Sequence, residues 1–327
     1  MRERDLNVDL LRVFACLCVI VIHVSGPLLQ KTEINTFYFL SNLILDSFSR
    51  VAVPLFVMIS GRYLLKADFT FNVNKYNKSI IRILRPLLFW SIFYIILYIG
   101  YKIYRKESID YHMILDNFIQ GKPYFHLWYL FMIIGIYIIA PFINHMINIL
   151  TKVQLKIAVW GLISFSFLHQ LYNIIYNVED FWGIWFIDYI GYFILGYLYK
   201  DKFYKNYNLF LLGYIISSLL IFLSSYFTYS LYKQLPFFNY NSIFVISSSF
   251  CIYSYFVNLK IQKSFLIKYS ETTFGIYLIH PLFILFTLKY LEKSIIIELL
   301  GILFIFLISH YIIKILSINS NLKNYLV

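Results

Sequence analysis

Charge is scarce in this chain. Only 13% of its 327 residues are Asp, Glu, Lys or Arg, while 61% are hydrophobic and the mean hydropathy is +0.72. A soluble domain carries about 25% charged residues, so the composition excludes one and indicates a polytopic membrane protein. Cysteine is nearly absent. Cys16, Cys18 and Cys251 sit inside apolar segments without metal-ligand spacing, which argues against a disulfide framework or a zinc site. No Ser-centred nucleophile elbow, HExxH, Walker loop or GxGxxG turn is present, leaving hydrolase, metalloprotease and nucleotide-motor chemistry without support. Soluble domains, low-complexity linkers and internal repeats are missing too, so the chain is expected to be one integral-membrane domain over 1–327.

What is there begins with basic residues, 28 against 16 acidic ones. In a soluble chain that excess would suggest nucleic acid. Here the Lys and Arg flank apolar segments, where topology accounts for them, and no nucleic-acid partner is expected. Ten apolar segments are long enough for a bilayer: about 6–29, 43–65, 80–101, 126–148, 153–172, 181–199, 208–229, 241–259, 272–291 and 294–316. The expected fold is an all-α bundle of about ten transmembrane helices.

Eighteen Lys and Arg fall at the N-terminus, in 62–85, near 152–156, 200–205 and 260–268, and in the tail; eight fall in the alternate loops. That bias places both termini in the cytoplasm, with Asp68 and Leu326 inside and Glu179 outside. Lys102, Arg105, Lys106 and Lys122 run against it. Arg2 and Arg4 ahead of the first apolar run imitate a secretory signal, but the run is long and has no small-x-small cleavage site. It is expected to remain as the first span.

Polar residues inside the spans are the functional candidates. Eleven helical steps bring His23 within about 20° of Arg12, roughly 16 Å along the same stripe. Asp9 and Cys16 complete the stripe, while Phe14, Leu17 and Val21 occupy other faces. An Arg within a span costs on the order of 3 kcal/mol, so this stripe should face the protein interior. Arg50 lies roughly 10 Å below the outer surface, at the depth of His23, unless it snorkels to the headgroups. Asp188 is about as deep, with Arg50 or His23 as its expected partner. Arg82 and Arg85, with Lys78 one turn earlier, either anchor the third helix or cradle phosphates. His126, Trp128 and Tyr129 fall at the outer interface, where aromatic residues collect. Tyr277 and His280 share a helical face, and Pro281 removes a backbone donor beside them. His145, His169 and His310 show no partner identifiable from sequence.

Four of these stretches, in order, carry a resemblance: NVDLLRVFACLCVIVIH with its Arg12-x10-His23 spacing, VPLFVMISGRYLL, HLWYL and FGIYLIHP. They resemble the integral-membrane acyltransferase type 3 family, whose members O-acylate cell-surface polysaccharides and related glycans. Arg62 departs from the pattern, at a place more often small or apolar. The resemblance implies acyl-coenzyme A as donor, most often with acetyl transferred, a glycan or lipid-linked saccharide as acceptor, and the plasma membrane as location. Acyl transfer to a hydroxyl needs a base and a group that tolerates the oxyanion. His23 is expected as base or acyl carrier, with Arg12, Arg50, His126 and Asp188 as further catalytic residues. Arg12, Arg82, Arg85, Tyr277 and His280 are expected at the donor, and no metal is expected. A polysaccharide transporter or flippase is the alternative, although its inverted repeats and paired broken helices are not evident and only one intramembrane motif holds a clear Pro break. A membrane sensor attached to a larger enzyme is a third reading.

Overall fold

The chain closes one end of its bundle with polar clasps between helix ends. The computed structural model describes residues 5–67, 69–178, 180–201, 206–291, 294–319 and 325; Arg2, Arg4, Asp68, Glu179 and Leu326 lie outside them. Helix α1 (Leu6–Lys31) starts where the Asp5 carboxylate accepts from the Val8 amide at 3.3 Å. Such a cap satisfies one of the orphan donors of a first turn. The remaining α-helices are α2 (Phe37–Ser49), α3 (Ala52–Leu64), α4 (Val73–Arg105), α5 (Tyr111–Ile119), α6 (Trp128–Ile149), α7 (Lys152–Tyr176), α8 (Ile190–Leu198), α9 (Asn208–Tyr232), α10 (Ile243–Asn258), α11 (Thr273–Leu291) and α12 (Ile295–Leu316). The described residues contain no strand, as the all-α expectation requires.

Seven helical stretches are long and apolar enough to cross a membrane alone: α1, α2 with α3, α4, α6, α7, α9 and α12. The other three apolar segments are built differently. Segment 181–199 is a 3₁₀ helix, Trp182–Tyr189, followed by the nine-residue α8; α10 has 16 residues, and α11 follows a second 3₁₀ helix, Phe265–Thr272. The segment expected at 43–65 starts earlier, at Phe37, and is interrupted at Arg50 and Val51. Pro54 is the physical reason, since it has no amide to offer the Arg50 carbonyl one turn back.

The clasps show which helix ends meet. Asn7 Nδ2 donates to the Val257 and Leu259 carbonyls at the end of α10, at 3.1 and 2.6 Å. Arg62, the departure from the family pattern, pairs with Asp5 at 2.6 Å and donates to the Lys200 carbonyl just beyond α8. Asn144 in α6 donates to the Leu64 carbonyl and accepts from the Lys66 amide. The start of α1 thus shares one side of the bundle with the ends of α3, α6, α8 and α10, as alternating spans demand. The positive charges that oppose the bias are partly neutralised: Lys102 and Arg105 both reach Glu107, at 2.7 and 3.6 Å, and Lys122 lies over the Trp185 ring.

Helices α3 and α8 cross at glycine. A Cβ on Gly61 would fall onto the Phe193 carbonyl, and one on Gly196 onto the Met58 carbonyl, so the two backbones touch. Small residues at such crossings allow the close approach that drives helix association in lipid.

Candidate active site

A missing hydrogen on α11 orders the site. Pro281 cannot donate to the Tyr277 carbonyl, and the His280 ring takes that place: His280 Nδ1 lies 2.8 Å from the Tyr277 carbonyl and 3.1 Å from that of Ile276. Carbonyl oxygens only accept, so Nδ1 carries the proton and the lone pair of neutral His280 is on Nε2. That nitrogen is 2.8 Å from Nδ1 of His23, with the two ring planes within 10°. His23 therefore donates through Nδ1, leaving its Nε2 unprotonated and without a hydrogen-bond partner among the described residues.

His23 is half-buried, with Phe125 edge-on at 5.0 Å. Together with His126, Trp128, Tyr129, Tyr240 and Tyr277 it lines a cavity of about 20 Å³, room for about one water. The third imidazole, His126, is buried with its ring centre 5.6 Å from that of His280 and 6.4 Å from that of His23. Its backbone is fixed by the Tyr277 hydroxyl, which donates to the His126 carbonyl. Apart from a backbone contact at Leu278, its ring nitrogens have no partner among the described residues. Leaving a buried polar group unsatisfied costs about 1–3 kcal/mol, so this position points to a ligand.

Arg50 stands at the break between α2 and α3. Its guanidinium pairs with Asp46 at 2.6 Å and lies 4.2 Å from the Phe238 ring centre. The expected partnership of Asp188 with Arg50 or His23 is overturned. Asp188 instead meets His169 Nδ1 at 3.1 Å, because the fully buried Asp46 is one turn from Arg50 on the same helical face and takes its charge. The Asp46-x3-Arg50 spacing within an apolar run was the available signal. His169, which showed no partner in sequence, has Asp180 as well as Asp188, and His310 bonds the Thr272 hydroxyl at 2.7 Å.

The Arg12 end differs. Asp9 and Cys16 are buried and Arg12 is half-buried, so the stripe faces inward as its periodicity required, and Phe14, Leu17 and Val21 lie partly buried on other faces. Arg12 pairs with Asp9 at 3.2 Å and lies over the Tyr63 ring at 5.0 Å. Tyr63 in turn lines a cavity of about 190 Å³ with Lys66, Asn72, Lys75, Tyr76, Ser79, Tyr137 and Asn144. Arg82 and Arg85 are exposed on α4. Lys66, Asn72 and Lys75 were missed because the whole 62–85 stretch reads as topological charge. Tyr277 and His280 are in the histidine cluster, so a donor touching both predicted sets would span the roughly 16 Å from Arg12 to His23.

The helices thus carry a hydrogen-bonded histidine pair at one end of the α1 stripe and a basic cavity at the other. The chain matches the acyltransferase domain profile of the acyltransferase type 3 family over residues 5–316 and belongs to that family. Its long apolar helices make it a multi-pass membrane protein carrying that family's acyltransferase domain. A protein of Enterococcus faecalis described as an amino-acid racemase is 30% identical over 135 residues, 39% of this chain and 18% of that protein, so the chain spans under a fifth of that relative. No solved structure matches.

Proposed function

We propose that the protein is an O-acyltransferase moving an acyl group, in the first instance acetyl, from cytoplasmic acyl-coenzyme A to a hydroxyl of a cell-surface or lipid-linked glycan at the plasma membrane. The observation that carries this reading is the His280–His23 relay, which leaves the Nε2 lone pair of His23 available at a cavity. In direct transfer, His23 Nε2 takes the acceptor hydroxyl proton as the oxygen attacks the thioester carbonyl. The C–S bond then breaks, the acyl group stays on the acceptor oxygen, and the proton passes from His23 to the departing thiolate. His280 stabilises the His23 imidazolium through the shared hydrogen bond, as an acceptor behind a catalytic histidine does.

An N–H of His126 and the Arg50 guanidinium are the groups available to the oxyanion. Asp46 keeps Arg50 in place, whereas Asp188 has no role in this scheme. At the other end Arg12, Lys66, Lys75, Arg82 and Arg85 suit the phosphates of coenzyme A, while the pantetheine arm follows α1 toward His23. The family match does not favour the transport alternative.

The test is acyl transfer by purified protein from labelled acetyl-coenzyme A to an envelope glycan. Transfer by the native protein and its loss in a folded His23→Ala variant are expected. A folded variant that retains turnover would remove His23 from the reaction.

A further inference from the structure

Away from the histidine cavity, four side chains converge where α7 ends and the 3₁₀ helix Trp182–Tyr189 begins. His169 and Asn173 are one turn apart on the same face of α7. His169 Nε2 lies 3.2 Å from Asp180, and Nδ1 lies 3.1 and 3.2 Å from the two Asp188 oxygens. One donor atom each from His169, Asp180 and Asp188 fall within 4.8 Å of one another. The backbones of both aspartates are fixed independently: the Trp185 indole donates to the Asp180 carbonyl at 3.2 Å, and the Ser166 hydroxyl to the Asp188 carbonyl at 3.1 Å. Asn173 Nδ2 donates to Asp180 Oδ2 at 2.8 Å, while its Oδ1 is buried and has no partner among the described residues.

We propose that His169, Asp180 and Asp188 form a site for a divalent cation, Zn²⁺ or Mn²⁺, with Asn173 holding Asp180 in place through its Nδ2. The donor set is one imidazole and two carboxylates. Imidazole suits the first-row transition metals, and carboxylate and carbonyl oxygens suit Mn²⁺ and Zn²⁺ alike. Two aspartates match a double positive charge. Metal–ligand bonds of about 2.0–2.2 Å place donor atoms at most about 4.4 Å apart, so the cluster closes by a few tenths of an ångström. Contrary to the expectation of no metal, the ion would then tie the 3₁₀ helix to α7. That helix carries Trp185 and Tyr189, which pack on Trp128 at 6.1 and 6.2 Å between ring centres, and Trp128 lines the His23 cavity. The site is therefore structural, a clasp on the aromatic wall of the cavity, and stands independently of the proposed reaction.

The test uses the full untagged chain in detergent, stripped with a chelator and titrated separately with Zn²⁺ and Mn²⁺, read by calorimetry and, for Mn²⁺, by electron paramagnetic resonance. About one equivalent per chain is expected, with a raised thermal unfolding midpoint. His169→Gln, Asp180→Asn and Asp188→Asn should each weaken binding at least about tenfold, and Asn173→Ala by less. Titration of the native chain decides the proposal even where a variant fails to fold. The absence of stoichiometric binding of both ions overturns it. So does binding that the folded variants retain unchanged, or a cluster whose only effect is that Asp188→Asn lowers the melting point of the metal-free protein, the behaviour of a plain ion pair.

Discussion

The two ends of the α1 stripe are built on opposite plans. At the Arg12 end a cavity of about 190 Å³ is edged by long cations, Lys66 and Lys75 among them, with Arg82 exposed on the neighbouring helix. At the His23 end about 20 Å³ is lined by two imidazoles, His23 and His126, and three tyrosines, and His23 is hydrogen-bonded at 2.8 Å to His280 behind it. A wide, hydrated basic cavity can hold a flexible polyanion through several interchangeable contacts. A small cavity with fixed proton positions suits bond-making, where a displacement of about 1 Å can cost 10² in rate. One helix thus spans the roughly 16 Å between the two ends, and under the proposed function it would separate donor binding from chemistry.

The contrast can be broken most severely at His23. His23→Ala should lower turnover by about 10²–10⁴ at every donor concentration, because excess donor cannot replace a base. Single-turnover rates with labelled acetyl-coenzyme A measure this, alongside a melting curve showing the fold retained. Next comes Asp46→Ala, which strands the Arg50 charge and should cost about 3–5 kcal/mol of stability in a thermal or denaturant melt. The double change Asp46→Leu with Arg50→Met should recover most of that loss but no activity, and recovery of activity would remove Arg50 from the site.

His280→Ala should lower turnover by about 10² while leaving the apparent donor KM unchanged, since it disturbs only the orientation and proton of His23. A shift confined to donor KM would instead return His280 to donor binding. The smallest effect sharpens the other end: Arg82→Gln with Arg85→Gln should raise apparent donor KM about tenfold, equivalent to about 1.4 kcal/mol, with acceptor KM and turnover at saturating donor preserved. If the pair only anchors α4, expression or insertion will fall instead.

Much of this was legible in the chain because helical periodicity is a local property. The inward stripe from Asp9 to His23 and the proline-broken FGIYLIHP motif needed no tertiary information. What could not be read was which helices meet: His23 and His280 are 257 residues apart, and neither ring indicates the other. The partner of Asp188 was misplaced because depth in a membrane gives one coordinate and says nothing about azimuth. Asp46 was the reverse case, a local i, i+4 signal lying inside the expected segment and passed over in favour of a partner at matching depth. Hydropathy also scores Trp182–Tyr189 like an ordinary helix, although its backbone winds as 3₁₀.

The glycine crossing of α3 and α8 has a mechanical consequence. Where two backbones touch at Gly61 and Gly196, sliding is blocked by main-chain atoms that no rotamer change can clear. Helix α3 supplies Tyr63 and Leu64 to the larger cavity and so acts as its fixed jaw. The facing side, with Lys75, Tyr76 and Ser79, belongs to α4, a helix only one-third buried within its apolar window. Under the proposed function, room for a bulky donor would therefore have to come from the α4 side of the cavity rather than from α3, whose place the glycine crossing fixes.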